Sequence, residues 1–124
     1  MQKVYLETNG CAVLRHETYK IAKYIRENSY EEVDNPSEAD YIIITGCGVI
    51  KTNEDYILGL IKRLYEEHKD HAKIIVAGCI PTISNKLISE ISSDIIQINN
   101  DKMEEFDNYF YKDKKLNDVN YNND

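Results

Sequence analysis

Three strand-type runs in this chain each end in the dipeptide Gly-Cys, and each is followed by a helix-type stretch. They read Tyr5-Leu6-Glu7-Thr8-Asn9-Gly10-Cys11, Ile42-Ile43-Ile44-Thr45-Gly46-Cys47-Gly48 and Ile74-Ile75-Val76-Ala77-Gly78-Cys79-Ile80-Pro81. A continuous β-branched run such as Tyr41 to Thr45 suits a parallel strand covered on both faces. Parallel strands need crossovers, and open sheets of this kind bind ligands beyond the carboxyl ends of their strands. The pattern therefore predicts an α/β fold: a three-layer sandwich with a mostly parallel sheet of about five strands flanked by helices. Cys47 follows Cys11 by 36 positions and Cys79 follows Cys47 by 32, each the length of one strand–helix–strand unit. The expectation is that Cys11, Cys47 and Cys79 share one sheet edge.

The intervening sequence fills in the units. Lys3 to Glu7 opens the chain as a strand, and Thr18, Ile21, Ala22 and Ile25 at helical spacing predict a helix over 16–27. Tyr30 to Val33 reads as a short strand, and Asp34-Asn35-Pro36-Ser37 as a turn. Thr52 and Asp55 suggest a capping box for a second helix, with Ile57, Leu60, Ile61 and Leu64 as its apolar stripe. Lys73 to Ala77 is a buried-type strand. Ile83, Leu87, Ile88 and Ile91 predict a third helix, and Asp94 to Ile98 a last strand. Asp101 and Glu104 suggest the start of a final helix carrying Met103, Phe106 and Phe110. These elements make one domain over 1–111, followed by a polar, disordered tail over 112–124.

The net charge of −7 excludes a simple nucleic-acid-binding module, since such modules carry a basic face. No run approaches the ~18 apolar residues of a membrane span, and no secretory signal is visible, so no membrane partner is expected. Three widely spaced cysteines do not make a disulfide framework and point to a reducing, cytoplasmic setting.

Several chemistries use such cysteines. A buried free thiol behaves as a small hydrophobe, which suits one cysteine better than three at equivalent strand ends. Structural zinc prefers close Cys-x-x-Cys pairs and four protein ligands; here there are no such pairs, and His16 is the one histidine near a cysteine in sequence. A cysteine nucleophile needs an adjacent base, and that chemistry leaves the other two cysteines unexplained. The Gly46-x-Gly48 step is no dinucleotide fingerprint, because Lys51 stands where its third glycine would be. An iron–sulfur cube needs a ligand at each iron, so three cysteines would leave one iron open. The glycines Gly10, Gly46, Gly48 and Gly78 suit the sharp turns and close backbone approach of such a cluster loop, and Pro81 would stiffen the third loop. No residue stands out as catalytic in its own right.

At these residues the chain resembles the N-terminal domain of the radical SAM methylthiotransferases. The matching segments are Glu7-Thr8-Asn9-Gly10-Cys11, Thr45-Gly46-Cys47-Gly48-Val49 and Ala77-Gly78-Cys79-Ile80-Pro81-Thr82, with Glu38-Ala39-Asp40 ahead of the second. Val76 to Pro81 is most similar to the branch that modifies threonylcarbamoyladenosine in tRNA. The resemblance covers roughly residues 3 to 110. It implies a [4Fe–4S] cluster held by Cys11, Cys47 and Cys79, whose free iron takes the sulfur that is methylated and transferred. Six residues at four places depart from the family pattern: Leu14, the Glu17-Thr18-Tyr19 segment, Gly46 before the second cysteine and Thr82 after the third.

The resemblance also implies parts that lie elsewhere. The family's Cys-x-x-x-Cys-x-x-Cys motif for a SAM-binding cluster does not occur in these 124 residues. SAM would act only through a separate radical SAM barrel domain or subunit, tRNA would be met indirectly, and the chain would not be catalytic alone. Two alternatives keep the thiols without that enzyme: a stand-alone iron–sulfur or sulfur carrier, and a degenerate α/β domain that binds no metal. The remaining features have plain readings. Tyr109 and Tyr111 suit core-edge or surface packing, with contact to a separate barrel as the alternative; the Glu66 to His71 cluster suits a solvated helix end, and Glu7 a strand-end surface position ahead of one facing the site.

Overall fold

A computed structural model describes residues 2–9, 12–46, 51–99 and 101–119; the side chains of 8–9, 12–18, 46, 51–54 and 79–84 are outside that description. Five strands alternate with helices. They are β1 (Lys3–Asn9), β2 (Glu31–Val33), β3 (Tyr41–Gly46), β4 (Lys73–Gly78) and β5 (Ile96–Asn99). Three helices join them: α1 (Ala12–Glu27), α2 (Lys51–His68) and α3 (Cys79–Ile91). A short α4 (Asp107–Phe110) follows a 3₁₀ turn at Met103–Phe106. Every strand pair is parallel, in the order β2-β1-β3-β4-β5. This is the predicted α/β layered architecture.

The β-branched runs explain why both faces are covered. Successive strand residues point to opposite faces. Ile43 and Ile75 enter one core with Ile21, Tyr24 and Ile25 of α1, while Ile42, Ile44, Ile74 and Val76 enter the other with Ile57, Ile61 and Leu64 of α2 and Ile88 of α3. Each fully buried aliphatic side chain of this kind contributes about 1.5–3 kcal/mol. Among the described residues no helix is long and apolar enough to cross a membrane.

The end of α1 is a Schellman turn. Tyr30 N donates to Ile25 O at 3.0 Å and Ser29 N to Arg26 O at 3.3 Å, with Ser29 at φ 68 in the left-handed position. The turn buries Tyr30 and aims the chain into β2. Asn35 caps the next turn, accepting from Ser37 N at 2.9 Å, with Pro36 at its first position.

Several local expectations are corrected. Lys51 is already helical, so Thr52 lies inside α2 and is not its cap. Leu87 is 42% exposed, because α3 meets the sheet through Ile88, one position further round the helix. The last helical segment starts after Lys102 rather than at Asp101, its first turn is 3₁₀, and no side chain caps it. Packing also continues past Tyr111. Leu116 and Val119 are buried in the α1-side core, and Asn28 holds the backbone of residues 112–114, so the polar stretch to Val119 is fastened to the domain. Composition concealed this, because the two apolar anchors stand alone among charged residues. Residues 120–124 of the expected tail lie outside the described residues.

Candidate functional site

The carboxyl ends of β1, β3 and β4 are level. Asn9 pairs with Gly46 and Gly46 with Gly78, so the last residues of the three central strands form one row. The chain leaves β1 toward β2 on one side, and leaves β3 toward β4 and β5 on the other. The strand order therefore reverses between β1 and β3, and the crevice outside such a reversal is where doubly wound sheets bind ligands. Cys11 is two residues beyond Asn9 in sequence, and Cys47 directly follows Gly46. Both, with Gly10 and Gly48, lie outside the described residues.

The third cysteine is better defined through its backbone. Gly78 ends β4 and is also the N-cap of α3, at φ 100 and ψ −139. An L side chain is strained there, so this position calls for glycine. The consequence is a strand-to-helix junction with no loop, in which Cys79 is the first residue of α3. Pro81, expected to stiffen a loop, is instead in the first helical turn, where its missing N–H costs no hydrogen bond. No acidic residue occupies that turn.

One polar pair on β1 was not anticipated. The Tyr5 hydroxyl donates to Glu7 Oε1 at 2.7 Å, and both residues are partly buried. Burial first, then the Glu7 carboxylate, pushes the Tyr5 phenol up to about 12, against a smaller opposing effect of Arg63 on α2. Glu7 is thus a bonded residue of a central strand, two positions below the last row, rather than a plain surface carboxylate. The sequence signal was the i, i+2 spacing, which places both side chains on the same face of β1.

At the opposite rim Glu66, Glu67, Lys69, Asp70 and His71 are exposed, as a solvated helix end requires, while His68 alone is buried and joined to His71. These two histidines are therefore remote from the cysteine edge. Among the described residues no three His, Cys, Asp or Glu side chains form a metal-holding group.

The topology and this edge define a doubly wound parallel α/β domain in whose sequence a Gly-Cys pair stands at the end of each of its three central strands. Residues 3–98 match the uncharacterized protein family UPF0004, and the chain belongs to that family. A probable threonylcarbamoyladenosine tRNA methylthiotransferase of Pyrococcus horikoshii is 30% identical over 117 residues, covering 94% of this chain and 27% of that protein. The human threonylcarbamoyladenosine tRNA methylthiotransferase is 32% identical over 81 residues, 65% of this chain and 14% of that protein. A tRNA-2-methylthio-N(6)-dimethylallyladenosine synthase of Wolinella succinogenes is 35% identical over 79 residues, 63% of this chain and 18% of that protein. The chain thus spans 14% to 27% of the length of these relatives. The similarity to methylthiotransferases read from the cysteine motifs is thereby shown.

Proposed function

We propose that this chain is the auxiliary-cluster part of a tRNA methylthiotransferase, with Cys11, Cys47 and Cys79 as the three thiolate ligands of a [4Fe–4S] cluster. The observation that carries this reading is the level row Asn9, Gly46, Gly78. Neighbouring strands are about 4.8 Å apart and consecutive Cα atoms about 3.8 Å, so chain connectivity keeps the three cysteines within reach of one rim. Cys79 opens a 13-residue helix, whose positive end favours a thiolate. Gly78 fixes that residue to the sheet without an intervening loop, and the sheet's reversal between β1 and β3 supplies the crevice. When bound, a cube with three protein thiolates supplies an open iron able to take an external sulfur ligand. The roles of Gly10, Gly46, Gly48, Gly78 and Pro81 in this reading are to bring backbone close to the group and to hold the cysteine backbones still.

SAM chemistry in this reading belongs to a separate radical SAM domain or subunit, and tRNA is engaged through that larger assembly. The relatives' greater length and their naming as tRNA methylthiotransferases support this division. The test is anaerobic reconstitution of the 124-residue chain with iron and sulfide. The expected result is about four irons per chain with the broad visible absorption of a cube, lost in each of Cys11→Ala, Cys47→Ala and Cys79→Ala. A chain that takes up no iron, or a Cys47→Ala variant that takes it up equally well, would overturn the reading.

A further inference from the structure

The rim opposite the cysteines carries a chain of hydrogen bonds with a fixed proton count. His71 Nδ1 lies 3.0 Å from the Ala39 carbonyl oxygen, and His71 Nε2 lies 2.9 Å from His68 Nδ1. His68 Nε2 faces Glu67 Oε1 at 3.8 Å. A carbonyl only accepts, so His71 Nδ1 carries a proton. The nitrogens 2.9 Å apart must share a single proton, since two lone pairs or two N–H groups would repel. Two neutral imidazoles supply these two protons and leave His68 Nε2 bare opposite a carboxylate. One added proton goes to His68 Nε2, beside Glu67 and at the negative end of α2, and breaks nothing. A second added proton would set N–H against N–H across the 2.9 Å contact.

We propose that His68 and His71 form a latch that accepts one proton and is opened by a second, releasing the segment before β3 from the end of α2. The latch joins three elements. His68 closes α2, where its carbonyl accepts from Ala72 N at 2.9 Å; His71 stands in the turn to β4; Ala39 precedes β3. The charged groups around it are Glu67 beside His68, and Asp40, Lys69, Asp70 and Lys73 around the cleft that holds His71. These last four cancel in charge, so Glu67 and the helix end are the counter-charge for the first proton. His71 is the exposed member and swings out when the contact breaks, while His68 stays buried.

The test is an imidazole ¹⁵N titration of the 124-residue chain with amide exchange measured in parallel. Expected are a scalar coupling between His68 Nδ1 and His71 Nε2 that survives the first protonation and vanishes with the second, and about tenfold faster opening at the Ala39 amide after the second. His71→Gln keeps an acceptor for His68 and a donor for Ala39 but cannot titrate, so the acid-induced opening should disappear while the fold persists. Two independent histidine titrations with no coupling at any pH would overturn the proposal, as would an unchanged acid opening in His71→Gln.

Discussion

At the scale of single residues, Asn28 fastens more of the chain than its size suggests. It is fully buried at the end of α1. Its Oδ1 accepts from Lys112 N, Asp113 N and Lys114 N at 2.8, 2.9 and 3.0 Å, and its Nδ2 donates to Tyr24 O and Lys114 O at 2.8 Å each. One amide thereby saturates five backbone groups from two segments more than 80 residues apart. Asn28→Ala strands Lys112 N, Asp113 N, Lys114 N and Lys114 O, while Tyr24 O keeps the backbone N–H of residue 28 at 3.1 Å; it should lower stability by about 3 kcal/mol, read as a lower urea midpoint, with early proteolytic cleavage after Lys112 or Lys114. Asn28→Asp keeps the three acceptor contacts but sets a carboxylate oxygen against the Tyr24 and Lys114 carbonyls in a buried site, so its loss should be at least as large. If Asn28→Ala leaves both midpoint and cleavage unchanged, the strap is not held as described. Nothing in the local sequence announced this role, because an asparagine after a helix reads first as a terminator.

The elements show what was legible and what was not. The β-branched runs of β3 and β4, and the stripe Ile57, Leu60, Ile61 and Leu64 of α2, identified the layers because their periods reflect burial directly. The level ending of β1, β3 and β4 was legible too, since Gly-Cys marks where each run stops. Two kinds of feature escaped. Apolar anchors isolated in polar sequence, Leu116 and Val119, carry no period. Long-range pairs such as His71 with Ala39 depend on which loops the fold brings together. The interior of α2 holds a third case, Gly59, which is exposed and whose added Cβ would meet nothing within 4 Å. Glycine in a helix interior costs about 1 kcal/mol against alanine. Gly59→Ala should therefore stabilise the protein by roughly 0.5–1 kcal/mol and raise Tm by about 4 °C, measured by thermal unfolding. A fall in Tm would mean that the position is crowded in solution.

For the whole molecule, the α1-side core is closed by aromatic rings, and the hydroxyls of Tyr24 and Tyr30 among them are held in the protonated form. Phe110 packs edge-on against Tyr30 and Tyr41, with centroids 5.1 and 4.9 Å apart, and Tyr24 lies 6.5 Å away. The Tyr24 hydroxyl donates to Asp107 Oδ1 at 2.7 Å, and the same oxygen accepts from Leu116 N at 3.0 Å. Burial, then the Asp107 carboxylate, drives the Tyr24 phenol far above its ordinary value; burial also raises Tyr30, and Tyr5 on the other face is pushed up to about 12. In the unfolded chain all three ionise near pH 10. Their stabilising contribution is therefore complete below about pH 10 and falls as pH rises beyond it, because the folded state then holds more protons than the unfolded one. Ultraviolet titration of phenolate should show Tyr24 ionising only in a cooperative step that coincides with loss of circular dichroism. Tyr24→Phe keeps the ring against Phe110 but removes the ionisable group, so its stability should decline less steeply with alkaline pH, at the cost of the Asp107 hydrogen bond at neutral pH. An unchanged alkaline slope in Tyr24→Phe would show that this phenol does not carry the effect.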